Sequence, residues 1–286
     1  MRHSPRLWSV LVGALLGGAC GDTQPATAPT ADVSEALLAS RQKHLKKKDA
    51  QIVSATGDIA AAVAQYRALL GAPLNGATAG EQPAGRREIN WDGVPAAFTN
   101  TDAFPGDFFN TRSTRGVLFT TAGTGFRVSD NGFTDVNAEY AGEFNTFSSP
   151  RLFVQIGSNE MDVDFVVAGS STPAQVTGFG VVFADVERPH STTMEYFDAA
   201  GKRLLTVAAP LRSDDRGLSF LGVVFDEPAI ARVRIHLGDA SIGATTLDNV
   251  DVPGHGGHHG RAHHRGKKHD LVVMDDFLYG EPHPIE

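Results

Sequence analysis

Cysteine is almost absent from this chain, which has one such residue, Cys20, among 286. A lone thiol excludes an internal disulfide framework and a structural zinc site built on several cysteines. Long apolar runs are missing as well, because the run at residues 7–16 is too short to cross a bilayer as a stable helix. A folded domain in this chain must therefore be held together by its hydrophobic core.

Positive charge is in deficit, with a formal net charge of -8 and a pI of about 5.7. This balance argues against a general nucleic-acid-binding protein, which is usually basic. The sequence also lacks HExxH, GxSxG, P-loop and dinucleotide-binding motifs. These absences favour a binding protein over an enzyme, without excluding catalysis.

The N-terminus has the pattern of a bacterial export signal. Two arginines, an apolar stretch and a small-residue stretch follow one another in residues 1–19. Residues 16–20 (LGGAC) resemble a lipobox, although the leucine stands one place further from Cys20 than is usual. We therefore expect residues 1–20 to be a lipoprotein-type signal peptide, with Cys20 acylated. The protein would then be lipid-anchored in the cell envelope, at the outer membrane or facing the periplasm, and it would be secreted if the lipobox is not used.

The next segment, residues 21–56, is predicted to be a tether followed by a spacer helix. Threonine, proline and alanine dominate its first ten residues, and residues 36–48 have a weak apolar face. The folded domain is expected to begin at Gly57. Apolar residues from Ile59 to Leu70 recur at helical spacing and form one stripe, which predicts a helix lying on a sheet.

Beyond residue 86 the pattern changes to short alternating strands separated by turns. Residues 176–237 are the most regular block, with a hairpin predicted around residues 198–202. The helical spacing of apolar residues does not return in this part of the chain. The predicted fold class is all-β, an antiparallel β-sandwich (jelly roll) with one or two N-terminal helices, spanning residues 57–286.

A His-rich loop insertion is predicted at residues 253–270. Neutral imidazoles bind Zn, Ni or Cu, and a Gly-rich loop can bring several together. Arginine and lysine residues among them repel a cation, however, and the spacing matches no folded zinc motif. A solvated low-complexity loop is therefore the competing interpretation. The candidate ligands to a transition metal are His255, His258, His259, His263 and His264.

Carboxylates at strand ends form a second group of candidates. Asp275 and Asp276 stand in the last predicted strand, and Asp185 ends an earlier one. Neighbouring residues of a strand face opposite sides, so only one aspartate of the pair is expected to point inward. Buried carboxylates need a partner or a cation, and oxygen ligands suit Ca²⁺. Hydrogen bonding to turn amides is the equally good alternative.

The segment around Trp91 combines an aromatic side chain with polar neighbours. Trp91, Asn90 and Asp92 are the candidate ligand-binding residues, with the indole stacking on a sugar ring. The alternative is that Trp91 anchors the core. Glu88 and Asp92 are a candidate carboxylate pair for a glycosidase, although nothing in the sequence brings them together.

Five strings of the chain stand out: RREINWDGVP (86–95), FPGDFFN (104–110), GTGF (123–126), SFLGVVF (219–225) and MDDFLYGEP (274–282). They resemble segments of a group of bacterial exported proteins of unassigned function. Their C-terminal halves are similar to galactose-binding-like jelly rolls, which also resemble carbohydrate-binding modules. The resemblance spans residues 57–282 and implies glycan binding by loops at one end of the sandwich, often with a structural Ca²⁺. The His-rich insertion departs from the pattern of the group.

Together these observations predict a lipid-anchored extracytoplasmic protein that binds carbohydrate or another surface polymer through jelly-roll loops. The expected partners are that polymer and the membrane, through the lipid anchor, with no nucleic acid. One alternative is a glycan-acting hydrolase that uses carboxylates near Trp91. The other is a metal-binding envelope protein that uses the His-rich loop.

Overall fold

The computed structural model describes residues 50–212, 216–248 and 269–285, and the structural statements below concern this part of the chain. It contains two helices, α1 (Ala60–Leu70) and the single turn α2 (Phe108–Thr111), and 3₁₀ turns at Ala96–Phe98 and Ala138–Tyr140. The strands are β1 (Gln51–Thr56), β2 (Arg86–Ile89), β3 (Val117–Thr121), β4 (Gly125–Ser129), β5 (Leu152–Ile156), β6 (Glu160–Phe165), β7 (Ala174–Gln175), β8 (Gly178–Ala184), β9 (Thr193–Phe197), β10 (Arg203–Ala208), β11 (Leu218–Val224), β12 (Arg232–His236), β13 (Val273–Gly280) and β14 (His283–Pro284).

Most strands belong to two antiparallel sheets. The seven-stranded sheet has the order β1-β11-β8-β13-β5-β4, with β2 also paired to β13, and the five-stranded sheet has the order β10-β9-β12-β6-β3. Within them, β11-β8-β13-β5 and β10-β9-β12-β6 are the two four-stranded halves of a jelly roll, because the chain alternates between the sheets except at the β9–β10 hairpin. This confirms the predicted fold class.

Along each strand, alternate side chains point into the sandwich and form its core. In β6, Met161, Val163 and Phe165 are buried, while Asp162 and Asp164 face outward. There they pair with arginines of the neighbouring β12: the Arg234 Nε–Asp162 Oδ1 distance is 2.8 Å and the Arg232 Nε–Asp164 Oδ1 distance is 2.7 Å. One face of the strand thus supplies core and the other supplies cross-strand ion pairs, as the alternating sequence predicts.

Helix α1 covers the outer face of the seven-stranded sheet, as its apolar stripe predicts. Tyr66 lies fully buried against Gly180 and Gly222, where an added Cβ would come within 2.8 Å and 2.6 Å of its ring. The Tyr66 hydroxyl donates a hydrogen bond to the Val223 carbonyl oxygen at 2.8 Å. The glycines therefore form the notch that fixes the helix on the sheet. In the described residues no helix has the length and apolarity needed to cross a membrane.

The predicted start of the domain at Gly57 is wrong. The six residues of β1, at the end of the predicted tether, pair with β11 along their whole length, and Val53 is buried under α1. The sequence offered little signal here because β1 is an edge strand with one buried position. The spacer helix expected at residues 36–48 lies outside the described residues.

A buried ion pair joins β2 to the residue that follows β13. Arg87 of β2 and Glu281 are both fully buried at their side chains, and their groups meet in a bidentate contact with distances of 2.7 Å and 2.6 Å. Arg87 also donates to the carbonyl oxygens of Gly76, Thr78 and Thr114. One guanidinium therefore ties the loop before β2 to the rest of the sandwich.

Candidate functional site

Trp91 is a core residue rather than an exposed platform. It is 1% exposed, its ring stacks on Phe153 at a centroid distance of 3.8 Å, and its Nε1 donates to the Asp275 carbonyl oxygen at 2.8 Å. Its backbone has φ of 62°, which a bulky residue adopts only when its surroundings enforce it. The prediction that Trp91 stacks on a sugar from the surface is therefore wrong, because no ring face is accessible.

The turn that buries Trp91 opens a cavity beside it. This Trp91 cavity has a volume of about 310 Å³ and is lined by side chains from residues 89–98 and 108–115. The segment around α2 supplies another wall, where Phe109 packs against the Trp91 ring and Phe108 packs against Phe109. Asn90 is exposed at this wall, so one predicted ligand residue lies where a ligand has access.

Two arginines dominate the charge at the cavity. The Arg112 guanidinium lies 4.9 Å from the centre of the half-buried Phe98 ring, and that of Arg115 lies 5.6 Å from the centre of Phe109. Arg115 Nε donates to the Glu88 carbonyl oxygen at 3.0 Å. In residues 50–212, 216–248 and 269–285, neither guanidinium forms an ion pair with a carboxylate. Burial lowers the pKa of Arg115, and the nearby charge of Arg87 adds to this effect.

In the part of the chain that the structure describes, a larger cavity on the five-stranded sheet is lined by arginines that already have carboxylate partners. Its volume is about 410 Å³ and its wall includes Arg232 and Arg234. Both arginines already pair with aspartates of β6. A ligand there would have to displace existing ion pairs, so the Trp91 cavity is the better candidate for an anionic group.

A β-bulge places Asp275 and Asp276 on one side of β13, against expectation. Met274 pairs with Phe183 and Phe277 with Val181, so two residues stand opposite one. Both carboxylates consequently reach the Ser148 hydroxyl, Asp275 Oδ1 at 3.1 Å and Asp276 Oδ1 at 2.7 Å. The prediction that only one aspartate points inward is wrong because it assumed a regular strand.

The aspartate pair anchors the loop at residues 141–150. Asp275 Oδ2 accepts hydrogen bonds from the backbone N–H groups of Phe147 and Ser148, at 2.6 Å and 3.2 Å. Burial and the neighbouring Asp276 raise the pKa of Asp275 to about 8. The hydrogen bonds of the pair to backbone N–H groups match the predicted turn-amide alternative.

Asp185 belongs to a different acidic group. None of the contacts among the described residues joins it to Asp275 or Asp276. Its carboxylate and those of Glu143 and Asp248 each offer one oxygen, and these oxygens lie within 4.8 Å of one another. Glu187 stands beside them, and Arg212 contacts both Asp185 (Nη1–Oδ1, 3.1 Å) and Glu187. We call Glu143, Asp185, Glu187 and Asp248 the Asp185 cluster.

The other predicted site residues are dispersed. Glu88 is engaged by Arg67 and Arg86, each at 2.7 Å, and Asp92 Oδ1 accepts from the Arg151 backbone N–H at 3.2 Å. No contact among the described residues joins Glu88 and Asp92 as a catalytic pair. Cys20 and the five candidate histidines lie outside the described residues.

The arginines of the Trp91 cavity and the members Glu143 and Glu187 of the Asp185 cluster were not predicted. The string FFNTRSTRG at residues 108–116 contains both arginines close to aromatic residues, which is the one local signal for the cavity. Glu143 and Glu187 carry no local signal, because each meets Asp185 or Asp248 only after the loops fold together.

Comparison with known proteins adds no assignment, since no protein-family model and no curated protein matches this chain. The fold alone therefore defines the class of this protein, which is an antiparallel jelly roll with a helix on its outer face. The resemblance to galactose-binding-like jelly rolls stays a prediction.

Proposed function

We propose that this protein is a lipid-anchored, extracytoplasmic binding protein whose jelly roll recognises an acidic carbohydrate or a similar acidic surface polymer at the Trp91 cavity. The observation that carries the proposal is the pair of guanidinium groups, of Arg112 and Arg115, which have no carboxylate partner in the described residues. In a chain of net charge -8, such a local concentration of unpaired positive charge favours an anionic ligand.

The chemistry of the wall suits a sugar acid or a sugar sulfate. The planar guanidinium forks present paired N–H donors that match a carboxylate or sulfate group. The half-buried Phe98 offers an apolar surface next to them, and the exposed Asn90 amide can donate to or accept from hydroxyl groups. This combination of a few polar groups and an apolar wall is typical of small-ligand sites.

Substitution of the cavity arginines is expected to weaken polymer binding about tenfold or more for each one, since a charge-assisted hydrogen bond contributes about 1.5–3 kcal/mol. The variants are Arg112→Gln and Arg115→Gln, with Phe98→Ala testing the apolar surface. Affinity electrophoresis in gels containing polygalacturonate, dextran sulfate or neutral dextran measures the effect.

The matched control is Arg203→Gln, which removes an exposed arginine of β10 far along the chain from the cavity segments. It should leave the mobility shift unchanged. Failure of the folded wild-type protein to bind any of these polymers, or equal binding by the wild type and the cavity variants, would contradict the proposal.

The lipid anchor rests on the sequence of residues 1–20. Acylation of Cys20 with several chains would hold the protein at the membrane, at ~0.8 kcal/mol per buried CH₂. Labelling of cells with radioactive palmitate should mark the wild-type protein and leave Cys20→Ser unlabelled. Equal label in both, or label in neither, would contradict the anchor and favour secretion after an ordinary signal.

The two alternatives lack a supporting contact in the described residues. The hydrolase would need a free carboxylate near Trp91, but Glu88 is engaged by two arginines and Asp92 by a backbone N–H group. Metal binding by the His-rich loop concerns residues outside the described part, and it remains a prediction of the sequence.

A further inference from the structure

The turn that carries Trp91 along the wall of its cavity has a strained backbone. Asp92 donates its backbone N–H to the Asn90 carbonyl oxygen at 2.7 Å, and the residue between them, Trp91, has φ of 62°. A hydrogen bond between residues two apart, around a central residue of positive φ, defines a γ-turn that is rare and strained. Such a conformation persists only where its surroundings enforce it, and it is concentrated at functional sites. The contacts that enforce this turn, residues 90–94, therefore bear on how the cavity binds a ligand.

These contacts come mainly from Arg151, which directly precedes β5. Its Nη1 atom donates to the Asp92 carbonyl oxygen at 2.7 Å and to the Val94 carbonyl oxygen, and it lies 3.5 Å from that of Trp91. Its backbone N–H donates to Asp92 Oδ1 at 3.2 Å. One residue outside the 90–94 turn thus contacts three of its carbonyl oxygens and one of its carboxylate oxygens.

Arg151 is itself held in place by the chain on either side of it. On its C-terminal side the chain continues into β5, which belongs to the seven-stranded sheet. On its N-terminal side, the Ser148 backbone N–H donates to Asp275 Oδ2 at 3.2 Å, and the Ser148 hydroxyl contacts the Asn90 carbonyl oxygen at 3.2 Å. The guanidinium is therefore presented to the turn from a fixed backbone.

The turn connects Arg151 to the cavity. The residues of the turn that line the cavity are Asn90, Trp91, Gly93 and Val94. Arg151 is not among the described residues of the lining, so it acts on a ligand through the turn. A site that is already held in its binding conformation binds more tightly, because no ordering cost is incurred on binding. Affinity falls in proportion to the fraction of molecules whose wall has that conformation.

We infer that Arg151 is a positioning residue for the acidic polymer: it holds the 90–94 turn in the conformation that binds, and it raises affinity without contacting the ligand. The inference rests on the proposed function of the Trp91 cavity. The role differs from that of Arg112 and Arg115, which line the cavity and would bind the anionic group directly.

Arg151→Met is the decisive variant, because methionine keeps most of the side-chain length and removes every side-chain donor. Hydrogen–deuterium exchange followed by mass spectrometry should show exchange faster by about tenfold or more in peptides that cover residues 88–98. Peptides of β8 should exchange as in the wild type, because the sheet keeps its contacts. In affinity electrophoresis on polygalacturonate or dextran sulfate, the variant should bind about tenfold more weakly, as expected when about a tenth of the molecules have the competent wall.

Arg151→Lys tests whether the donors are responsible. An ammonium group has three donors on one nitrogen and can satisfy the carbonyl oxygens that Nη1 contacts, so affinity should stay within about threefold of the wild type. The matched control is Arg234→Met, which removes a guanidinium paired with Asp162 on the five-stranded sheet. It should leave both the exchange of residues 88–98 and the affinity unchanged.

Asp92→Ala provides a second test that does not depend on the folding of Arg151→Met. It removes the side-chain acceptor of the Arg151 backbone N–H and leaves the guanidinium in place. Exchange should become faster in the same peptides, and binding should weaken about threefold. Circular dichroism well below Tm establishes that each variant is folded.

The two measurements separate this inference from the proposed function. If the wild type binds an acidic polymer, unchanged exchange in Arg151→Met and Asp92→Ala would overturn the positioning role alone. Faster exchange with wild-type affinity would do the same, because it would show a purely structural role, and so would an equal loss of affinity in Arg234→Met. A wild type that binds neither acidic polymer would overturn the proposed function together with the effect of Arg151 on affinity.

Discussion

Replacing Arg87 with methionine should lower the free energy of unfolding by about 3–5 kcal/mol, because Glu281 would remain buried without its charge partner. Both side chains are fully buried, and the contact is bidentate. The variant would also lose the hydrogen bonds that hold the loop before β2, which leaves several carbonyl oxygens unsatisfied. Urea unfolding followed by circular dichroism gives the measurement.

A matched variant separates burial from charge in this prediction. Arg86→Met changes the neighbouring arginine, which is partly exposed and pairs with Glu88, and it should cost about 1 kcal/mol or less. The double variant Arg87→Met with Glu281→Leu removes both charges, so it should recover part of the loss. Equal effects of Arg86→Met and Arg87→Met would show that the buried pair has no special role.

Truncation of Trp91 to alanine should cost about 3–5 kcal/mol, the range found for large aromatic residues in protein cores. The indole is 1% exposed and contacts Phe153, Phe109 and Phe277. It also donates the hydrogen bond to the Asp275 carbonyl oxygen. Thermal unfolding followed by circular dichroism measures the loss, and Trp91→Phe should recover part of it.

Phe98→Ala is the control for Trp91→Ala, because Phe98 lies on the same cavity but is only half-buried. It should lower stability by about 1 kcal/mol or less, while it weakens polymer binding. A Trp91→Ala protein that unfolds like the wild type would contradict the core assignment and restore a direct ligand role for the indole.

The strands of the jelly roll could be predicted because residues close together in the sequence specify them. The hairpin at residues 198–202 coincides with the prediction, since alternation and turn residues specify it directly. Edge strand β1 was missed because a strand with one fully buried residue carries little periodicity. The start of the domain was therefore misplaced.

The candidate sites depend on contacts that spacing along the chain does not encode. Glu143, Asp185 and Asp248 meet only because the loops after β4, β8 and β12 converge. Asp275 and Asp276 share one hydroxyl because a bulge interrupts β13, and a regular alternation predicts the opposite. Trp91 lies in the core instead of on an exposed platform, because the same residue types that suggest a sugar platform also form a core.

The burial of Trp91 also gives the protein a built-in optical reporter. The chain has two tryptophans, and Trp8 lies within the predicted signal peptide, so a processed protein would keep Trp91 as its sole indole fluorophore. Its emission should be blue-shifted in the folded state, because the ring is shielded from water by a shell of phenylalanines. Since Trp91 is among the residues that line the cavity, its fluorescence should report on the integrity of the core and on ligand binding next to it, without any attached dye.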